Sequence, residues 1–352
     1  MRVVDNAPLA PLTTLRLGGP ARRLVTVERE RDAIDAVREL DDRREALLVL
    51  GGGSNLVISD AGFDGTVVRM AARGRATSAA RDGRVLVTAE AGEPWDDLVA
   101  ALVEEGLAGV ECLAGIPGLV GAVPMQNVGA YGQDVGETIV SVRAYDRARR
   151  EIVELPREAC AFAYRSSAFR GEDRHVIVAV TFALERSAES RPIRYAELAR
   201  ALGVVEGARA PLAAVRSTVI ALRRRKGMVL DPADLDTASA GSFFTNPIVS
   251  ASELESLRAR ARDEGPMPVF AEPDGRFKVS AGWLIERAGF TKGFAGEGGR
   301  VAVSGKHALA LTNRGGATTH ELVALARRIR DGVRERFGVT LENEPVLVGD
   351  RL

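Results

Sequence analysis

The hydrophobic pattern of the first third of the chain changes between two periods. Ile34, Val37 and Leu40 recur at helical spacing within residues 30–44. Short apolar runs on either side, at 24–27 and 46–50, are typical of strands. The same reasoning predicts a helix over 94–105, with Pro94 at its start, and further strands at 56–59, 66–70 and 84–90.

The remaining pattern alternates strands and helices without a regular order. We expect a hairpin over 138–146 and 151–155, and a strand over 176–184 that is buried on both faces and closes the sheet. A strand edge at 239–247 would present Ser242 and Asn246. The predicted helices are 211–226, 252–263, 281–287 and 319–337, the last two capped by Ser280 and by the Thr318/Glu321 box. Strands are expected at 301–303 and 308–312. The sequence therefore predicts an α+β protein.

Two glycine-rich stretches interrupt this pattern. Residues 106–136 combine recurrent glycine with apolar residues and almost no charge, which favours a buried ligand cradle over a solvated loop. Residues 51–55, Gly-Gly-Gly-Ser-Asn, directly follow a buried strand and could form a nest of N–H groups for phosphate oxygens. Strands follow this second stretch where a dinucleotide-binding fold needs a helix, so that fold is disfavoured.

Composition and charge narrow the class of protein. The 352 residues are enough for two or three domains. Because 48 basic residues balance 48 acidic ones, we expect no nucleic-acid partner. Two cysteines and three dispersed histidines predict neither a disulfide framework nor a metal site. The apolar runs are too short for a signal peptide or a bilayer span, so we expect a cytoplasmic protein with no membrane partner.

Several polar residues are candidates for chemistry, and each has a plainer alternative. Arg165 is flanked by aromatic residues and could bind a carboxylate or phosphate, or could simply be paired with a nearby acid. The basic run 223–226 could hold a diphosphate, although the helix dipole is a sufficient explanation. Ser242 has no evident partner and no nucleophile elbow, so a serine hydrolase is disfavoured. In the tail, either Glu342 or Glu344 could be a buried acid.

Six motifs in order give the chain a resemblance to one family. They are L-G-G-G-S-N from Leu50, G-I-P-G-x-V-G-A-x-P-x-Q-N-x-G-A-Y-G from Gly115, F-x-Y-R-x-S from Phe162, A-G-S-F-F-x-N-P from Ala240, S-A-G-W-L-I-E from Ser280 and L-E-x-E from Leu341. Over nearly its whole length the chain resembles the UDP-N-acetylenolpyruvoylglucosamine reductases, also called UDP-N-acetylmuramate dehydrogenases. Its Tyr195 segment is similar to the branch of the family that has a tyrosine lid.

The resemblance implies a domain organisation. It implies a two-subdomain FAD-binding unit of the vanillyl-alcohol-oxidase type over 1–187, divided at about residue 70. A linker with the Tyr195 loop would cover 188–210, and an α+β substrate-binding domain would cover 211–338. Residues 339–352 would return to the active site as a strand segment. We expect a monomer, because nothing in the sequence demands more.

The resemblance also implies site residues. Arg165, Ser242 and Glu344 match the catalytic positions, and Glu344 is preferred to Glu342 because the family motif places its acid second. The expected FAD-binding residues are Gly51, Gly52, Gly53, Ser54, Asn55, Ile116, Pro117, Gly118, Gly121, Ala122, Gln126, Asn127, Gly129, Ala130 and Tyr131. The expected substrate-binding residues are Tyr164, Tyr195, Lys226, Asn246 and His307.

The implied reaction is the NADPH-dependent, FAD-mediated reduction of the enolpyruvyl ether of UDP-N-acetylglucosamine to UDP-N-acetylmuramate. FAD would be held without a covalent bond, and NADPH and the nucleotide sugar would use one cleft in turn. Arg165 would stabilise charge on the carboxylate and Ser242 would donate a proton. The alternatives are a flavin oxidase of an alcohol, amine or sugar with the same cofactor fold, and a non-catalytic nucleotide-sugar binding protein.

Overall fold

The computed structural model describes residues 1–80 and 82–352, which form two compact units. The first unit comprises Met1–Ala7, Ala21–Gly53 and Asp64–Val229. The second comprises Pro8–Pro20, Ser54–Phe63 and Leu230–Leu352. Each unit is therefore assembled from three separate segments of the chain.

The first unit is built on two main sheets. Its strands are β1 Arg2–Pro8, β2 Pro20–Val27, β3 Leu47–Leu50, β5 Phe63–Met70, β6 Arg75–Ala79, β7 Val85–Glu90, β8 Leu107–Ala108, β9 Gly129–Ala130, β10 Gln133–Asp134, β11 Ile139–Asp146, β12 Glu151–Pro156 and β13 His175–Arg186. One sheet has the order β1-β2-β5-β3 and the other the order β12-β11-β13-β7-β6, with β8 also paired to β13. β9 and β10 form a separate two-stranded ribbon.

The strand predicted at 176–184 lies in the centre of its sheet and does not close it. β13 is paired with β11 on one side and with β7 on the other, both antiparallel. Most of its residues are buried, because Val178 packs in the core cluster that contains α1 and Phe182 packs in the cluster that contains α2. The apolar run correctly indicated burial, whereas the order of the strands depends on long-range pairing.

In the described part of the first unit the α-helices are α1 Glu30–Asp42, α2 Trp95–Glu104, α3 Ala196–Leu202 and α4 Leu212–Arg225. α1 buries Ile34, Val37 and Leu40 in one core cluster, as its spacing predicts. α4 buries Leu212, Val215, Val219 and Leu222 in the core that also contains residues of α2 and α3. The compact first unit therefore extends to Val229, beyond the boundaries expected at 187 and 211.

The second unit contains three small sheets and three helices. Its strands are β4 Leu56–Ile58, β14 Ser239–Ser242, β15 Ile248–Val249, β16 Val269–Ala271, β17 Phe277–Val279, β18 Val301–Val303, β19 Ala310–Asn313 and β20 Val346–Val348. The strand orders are β14-β19-β18 and β15-β17-β16, and β20 pairs with β4 in parallel. The helices are α5 Ala251–Arg260, α6 Ala281–Arg287 and α7 Thr319–Phe337.

Local capping signals define α6 and α7 as the sequence predicts. Ser280 accepts a hydrogen bond from the Trp283 N–H and begins α6. Thr318 and Glu321 form a complete capping box at the start of α7, and Gly338 ends that helix in the left-handed conformation. α7 then buries Leu322, Ile329 and Val333 in the core of the second unit.

Two segments of the N-terminal third belong to the second unit. Leu15, Leu17 and Val57 are all buried in its core. The Thr14 hydroxyl donates to the Ser239 carbonyl oxygen at 2.6 Å, and the Asn313 side chain donates to the Leu15 carbonyl oxygen at 3.0 Å. These contacts explain why the expected subdomain of residues 1–70 is not continuous in the structure.

Candidate functional site

In the first unit the two glycine-rich loops lie directly against each other. A Cβ placed on Gly52 would be 2.7 Å from the Gly118 Cα, and one on Gly51 would be 3.8 Å from the Ala122 Cβ. Gly118 has φ of +128°, a conformation that favours glycine. The 51–53 loop and the 115–132 loop (the cradle loop) thus form one surface of closely packed backbone. Such a surface suits a large planar group with phosphates, which fits FAD.

A short segment at the start of α2 holds the cradle loop in place. The Gly121 N–H donates to the Ala91 carbonyl oxygen at 2.9 Å, and the Val120 N–H donates to the Glu93 carbonyl oxygen at 2.9 Å. The carboxylate of Asp96 accepts a hydrogen bond from the Gly115 N–H at 2.6 Å. Trp95 donates from its indole to the Leu113 carbonyl oxygen at 3.0 Å. The sequence identified this segment only as the beginning of a helix.

One side of the cradle loop is accessible while its flanks are buried. The sequence-predicted residues of this loop that are partly exposed are Ile116, Pro117, Gly118, Gly121, Ala122, Gln126, Gly129, Ala130 and Tyr131. Asn127 differs from them, because it is buried and its side chain is engaged within the unit. Its amide donates to the Ala163 carbonyl oxygen at 3.0 Å, and its oxygen accepts from the Gly136 N–H at 2.9 Å. The side chain of Asn127 therefore shapes the loop.

Arg165 lies in a tight turn that is tied to the cradle loop. Ala163 and Ser166 exchange backbone hydrogen bonds, and Arg165 is in the left-handed region with φ of +47°. Its guanidinium donates to the Gly129 carbonyl oxygen at 2.9 Å and lies 5.4 Å from the centroid of the Tyr164 ring. The sequence-predicted Arg165, Tyr164 and Gly129 are thus brought together within the first unit.

Backbone strain is concentrated in this part of the first unit. Eight non-glycine residues of the described ranges have positive φ, and three of them are sequence-predicted site residues: Asn127 at +48°, Tyr131 at +49° and Arg165 at +47°. Such conformations persist only where surrounding contacts hold them, and they are frequent at ligand sites. No sequence signal identified these three positions as strained, because none is glycine.

Tyr131, Tyr195, Glu197 and Lys226 form a cluster, which we call the Tyr131 cluster. The rings of Tyr131 and Tyr195 meet edge to face at 5.4 Å between centroids. The ammonium group of Lys226 lies 5.7 Å from the centroid of the Tyr131 ring and 2.5 Å from a Glu197 carboxylate oxygen. Burial raises the pKa of Tyr131 to about 12, so its phenol is neutral near pH 7.

The basic run at the end of α4 has members in different environments. Arg224 and Arg225 are exposed, as expected for cations that stabilise a helix C-terminus. Arg223 instead donates to the Met228 carbonyl oxygen at 2.9 Å, and its Nε is buried with no hydrogen-bond partner among the described residues. Burial lowers the pKa of Arg223 to about 10, which still leaves it charged near pH 7.

In the second unit Ser242 lies at the end of the edge strand β14. The pairing of β14 with β19 shifts by one residue between Ser239 and Ser242, which is a β-bulge. Gly241, within this bulge, has φ of +75°. The Phe243 N–H then donates to the Leu309 carbonyl oxygen at 2.7 Å. The bulge re-aims the chain immediately before Ser242.

Glu344 lies beside the Ser242 segment. The Glu344 N–H donates to the Phe243 carbonyl oxygen at 2.9 Å, and Asn343 and Phe244 form an antiparallel bridge. The side-chain amide of Asn55 donates to the Glu344 carbonyl oxygen at 3.4 Å. Glu344 is partly buried, whereas Glu342 is exposed. The second unit thus brings together the predicted residues Asn55, Ser242 and Glu344, and the burial supports the choice of Glu344.

Asn246 and His307 are held by neighbouring turns of the same unit. The Asn246 side-chain oxygen accepts from the Ala281 N–H at 2.9 Å, next to the cap of α6. The His307 N–H donates to the Ser304 hydroxyl at 3.3 Å. The turn that carries His307 is also bound by Asp236, which accepts from the Gly305 N–H at 2.8 Å. Asp236 was missed by the sequence reasoning, since it belongs to no recognised motif.

The described residues include neither a cluster of metal ligands nor a helix that could span a membrane. Across residues 1–80 and 82–352, no group of three or more His, Cys, Asp or Glu side chains is arranged to hold a metal ion. Within the same ranges, no helix is long and apolar enough to cross a bilayer.

Comparisons with known proteins agree over the whole chain. A family model described as "FAD binding domain" matches residues 21–155, and one described as "UDP-N-acetylenolpyruvoylglucosamine reductase, C-terminal domain" matches residues 231–348. The first match covers most of the first unit, and the second lies entirely within the second unit. The two matches agree with the α+β fold class predicted from the sequence. They also agree with the predicted order of an FAD-binding unit followed by a C-terminal domain.

Individual relatives have similar length. The UDP-N-acetylenolpyruvoylglucosamine reductase of Thermobifida fusca is 56% identical over 348 residues, covering 98% of this chain and 97% of the relative. That of Streptomyces coelicolor is 57% identical, covering 98% and 90%. The crystal structure of the Thermus caldophilus UDP-N-acetylenolpyruvylglucosamine reductase has a TM-score of 0.65 at 24% identity, with 99% of both chains covered.

Proposed function

The chain belongs to the UDP-N-acetylenolpyruvoylglucosamine reductase family, and from this premise we propose how its own residues carry out the reaction. The protein is an FAD-dependent oxidoreductase that reduces the enolpyruvyl ether of UDP-N-acetylglucosamine. The observation that carries this function is the sequence identity to two reductases of the family, 56% and 57%, over 98% of the chain. We propose NADPH as the reductant and UDP-N-acetylmuramate as the product.

The two glycine-rich loops would hold the cofactor. Gly51, Gly52 and Gly53, with Ser54 and Asn55, would offer N–H groups to its diphosphate. The accessible side of the cradle loop, from Ile116 to Tyr131, would contact its ring. When bound, FAD supplies a route for hydride from NADPH to the terminal carbon of the enolpyruvyl double bond. The close approach of Gly52 to Gly118 supports this assignment, since a Cβ at Gly52 would collide with the Gly118 backbone and separate the two loops.

Arg165 would bind the carboxylate of the enolpyruvyl group. Negative charge develops on that carboxylate as hydride adds to the conjugated double bond, and a fixed cation stabilises it. The hydrogen bond to the Gly129 carbonyl oxygen and the contact with Tyr164 fix the guanidinium, so little reorganisation is needed during reaction. We propose Glu344 as a second group that contacts this carboxylate, either as the protonated acid or through a shared proton.

Ser242 would donate the proton that completes the reduction. The carbon next to the carboxylate must receive a proton, and a serine hydroxyl is a poor acid unless its alkoxide is stabilised and water is excluded. The bulge that positions Ser242 and the adjoining Glu344 segment support this role. Lys226, Tyr195, Asn246 and His307 would bind the UDP-sugar, with Lys226 as the counter-ion of the diphosphate.

We also propose that the protein works in the cytoplasm as a monomer. Cys112 and Cys160 are both buried and unpaired, which suits a reducing compartment.

The proposal for Ser242 is tested by separating the two half-reactions. Ser242→Ala should accept electrons from NADPH at the wild-type rate, because that step needs no proton from Ser242. Transfer to the enolpyruvyl substrate should slow by about 10²- to 10⁴-fold, the usual loss when a general acid is removed. Stopped-flow absorbance of the bound flavin measures each step. Equal slowing of both steps would contradict the assignment. Ser250→Ala, which changes the N-cap of α5, is the control and should leave both steps near the wild-type rate.

A further inference from the structure

The ammonium group of Lys226 has two partners in the first unit. It forms an ion pair with Glu197 at 2.5 Å, and it lies over the ring of Tyr131 at 5.7 Å. Glu197 is in the first turn of α3, two residues after Tyr195, whose ring contacts Tyr131. One carboxylate is therefore bound to the cation that the proposed function assigns to the substrate diphosphate.

The ion pair is open to exchange. The side chains of Lys226 and Glu197 are 32% and 39% exposed. Ion pairs with this exposure contribute little to stability, because water already solvates both groups and long side chains lose entropy when held together. A diphosphate carries more charge than one carboxylate and offers several oxygens, so it can replace Glu197 at small cost.

We propose that Glu197 competes with the diphosphate of the nucleotide sugar for Lys226, and so limits the affinity for substrate and product alike. This inference rests on the role of Lys226 in the proposed function. The opposite role, in which Glu197 positions Lys226 for the substrate, is less consistent with the contacts. The ring of Tyr131 already supports the Lys226 ammonium without help from Glu197, and a carboxylate at 2.5 Å repels an arriving diphosphate.

Such competition favours turnover. The diphosphate is chemically unchanged by the reaction, so Lys226 binds it equally in substrate, transition state and product. Binding of this kind lowers KM without raising kcat, and strong binding of the product slows its release. When the product leaves, the Glu197 carboxylate pairs with Lys226 again. This pairing limits the affinity for substrate and product alike.

The test is titration calorimetry of UDP into flavin-loaded protein. Glu197→Gln keeps the size of the side chain and removes its charge, and should tighten UDP binding about 5-fold, equivalent to about 1 kcal/mol. Lys226→Met should weaken UDP binding about 10-fold. In the Lys226→Met background the effect of Glu197→Gln on UDP affinity should fall below about 2-fold, because Glu197 then has no ammonium group to compete for. Flavin content and thermal midpoint verify that each variant is folded.

Glu206→Gln is the matched control, since Glu206 is an exposed glutamate on the connection that follows α3 and undergoes the same change of charge. It should leave the UDP affinity within about 2-fold of wild type. Equal tightening by both glutamine variants would indicate a general charge effect and overturn the inference. Weaker UDP binding in Glu197→Gln would also overturn it, and would make Glu197 a positioning residue. If Lys226→Met leaves UDP binding unchanged, the assigned role of Lys226 itself fails.

Steady-state kinetics give an independent readout. Glu197→Gln should lower KM for the enolpyruvyl substrate about 5-fold and should not raise kcat, because uniform binding does not accelerate chemistry. A raised KM, or a higher kcat at unchanged KM, would contradict the proposed competition.

Discussion

At the scale of single residues, Gly241 determines the direction in which Ser242 leaves its strand. Its φ of +75° lies in the left-handed region, and no heavy atom lies within 4 Å of where its Cβ would be. An alanine there would therefore be strained by backbone conformation and not by collision. The strain is about 1–2 kcal/mol, and the chain can relieve it by altering the bulge.

Gly241→Ala should accordingly displace the Ser242 hydroxyl while the protein stays folded. We expect transfer to the enolpyruvyl substrate to fall at least about 10-fold, since proton transfer depends steeply on geometry. The NADPH half-reaction should remain near the wild-type rate. Single-turnover stopped-flow absorbance measures both.

Gly275→Ala provides the comparison for this variant. Gly275 has φ of +82° with equally open surroundings, but it lies in the turn between β16 and β17. The two alanine variants should lose similar stability toward denaturant, and only Gly241→Ala should lose the second half-reaction. Identical kinetics in the two variants would show that the bulge does not position Ser242.

At the scale of elements, the start of α2 supports the cradle loop. The Gly115 N–H is bound by the Asp96 carboxylate at 2.6 Å, and Arg216 of α4 contacts the same carboxylate at 3.5 Å. Removing the carboxylate would leave a buried N–H group without an acceptor. Such a group costs about 1–3 kcal/mol, so part of the cradle loop should rearrange.

Asp96→Ala should raise the dissociation constant for FAD about 10-fold, and Asp96→Asn should restore most of the affinity because its amide oxygen still accepts the hydrogen bond. Flavin fluorescence during titration of the apoprotein measures this constant. Asp97→Ala is the control, because Asp97 is the exposed neighbour on the same helix. If the alanine variants at 96 and 97 bind FAD equally well, Asp96 does not support the loop.

Elements with local signals could be predicted from the sequence, and elements that depend on distant partners could not. The capping box of α7 and the spacing of apolar residues in α1 are complete within a few residues, so both helices were recognised. β1 is mostly exposed and has no alternating apolar pattern, and only its pairing with β2 makes it a strand. α3 was missed because its seven residues are too few to show a period.

The residues of the candidate site divide in the same way. Those in local motifs could be predicted, and those that act through distant contacts could not. The roles of the glycine motifs, Arg165, Ser242 and Glu344 could be predicted because motifs are local. Asp96, Glu197 and Asp236 act through residues that are 19, 29 and 69 positions away in the chain. No short pattern identifies such contacts. The left-handed conformations of Asn127, Tyr131 and Arg165 were likewise not predicted, since none of the three residues is glycine. Tyr131 lies in the two-residue turn between β9 and β10, and Arg165 lies in the turn closed by Ala163 and Ser166.

At the scale of the whole molecule, the two units should respond differently to the cofactor. Most of the proposed FAD-binding residues belong to the first unit. At a free FAD concentration about 100 times the dissociation constant, the first unit should gain about 2.7 kcal/mol of stability. Its slowest amides, in β11 and β13, should then exchange with solvent about 100-fold more slowly.

Hydrogen exchange of the apoprotein and of the flavin-loaded protein, followed by mass spectrometry, measures this difference. Peptides from α7, in the second unit, serve as the internal reference and should gain less protection. Greater protection of α7 than of β13 would contradict the placement of the cofactor in the first unit.

The three-segment composition of each unit has a consequence for the order of synthesis. Leu15, Leu17 and Val57 leave the ribosome early, yet the core that buries them also needs Leu322, Ile329 and Val333. These apolar side chains therefore stay exposed to solvent until almost the entire polypeptide has left the ribosome. A fragment that begins at residue 230 would lack them altogether, and we expect it to need a separately supplied N-terminal peptide before it can become native.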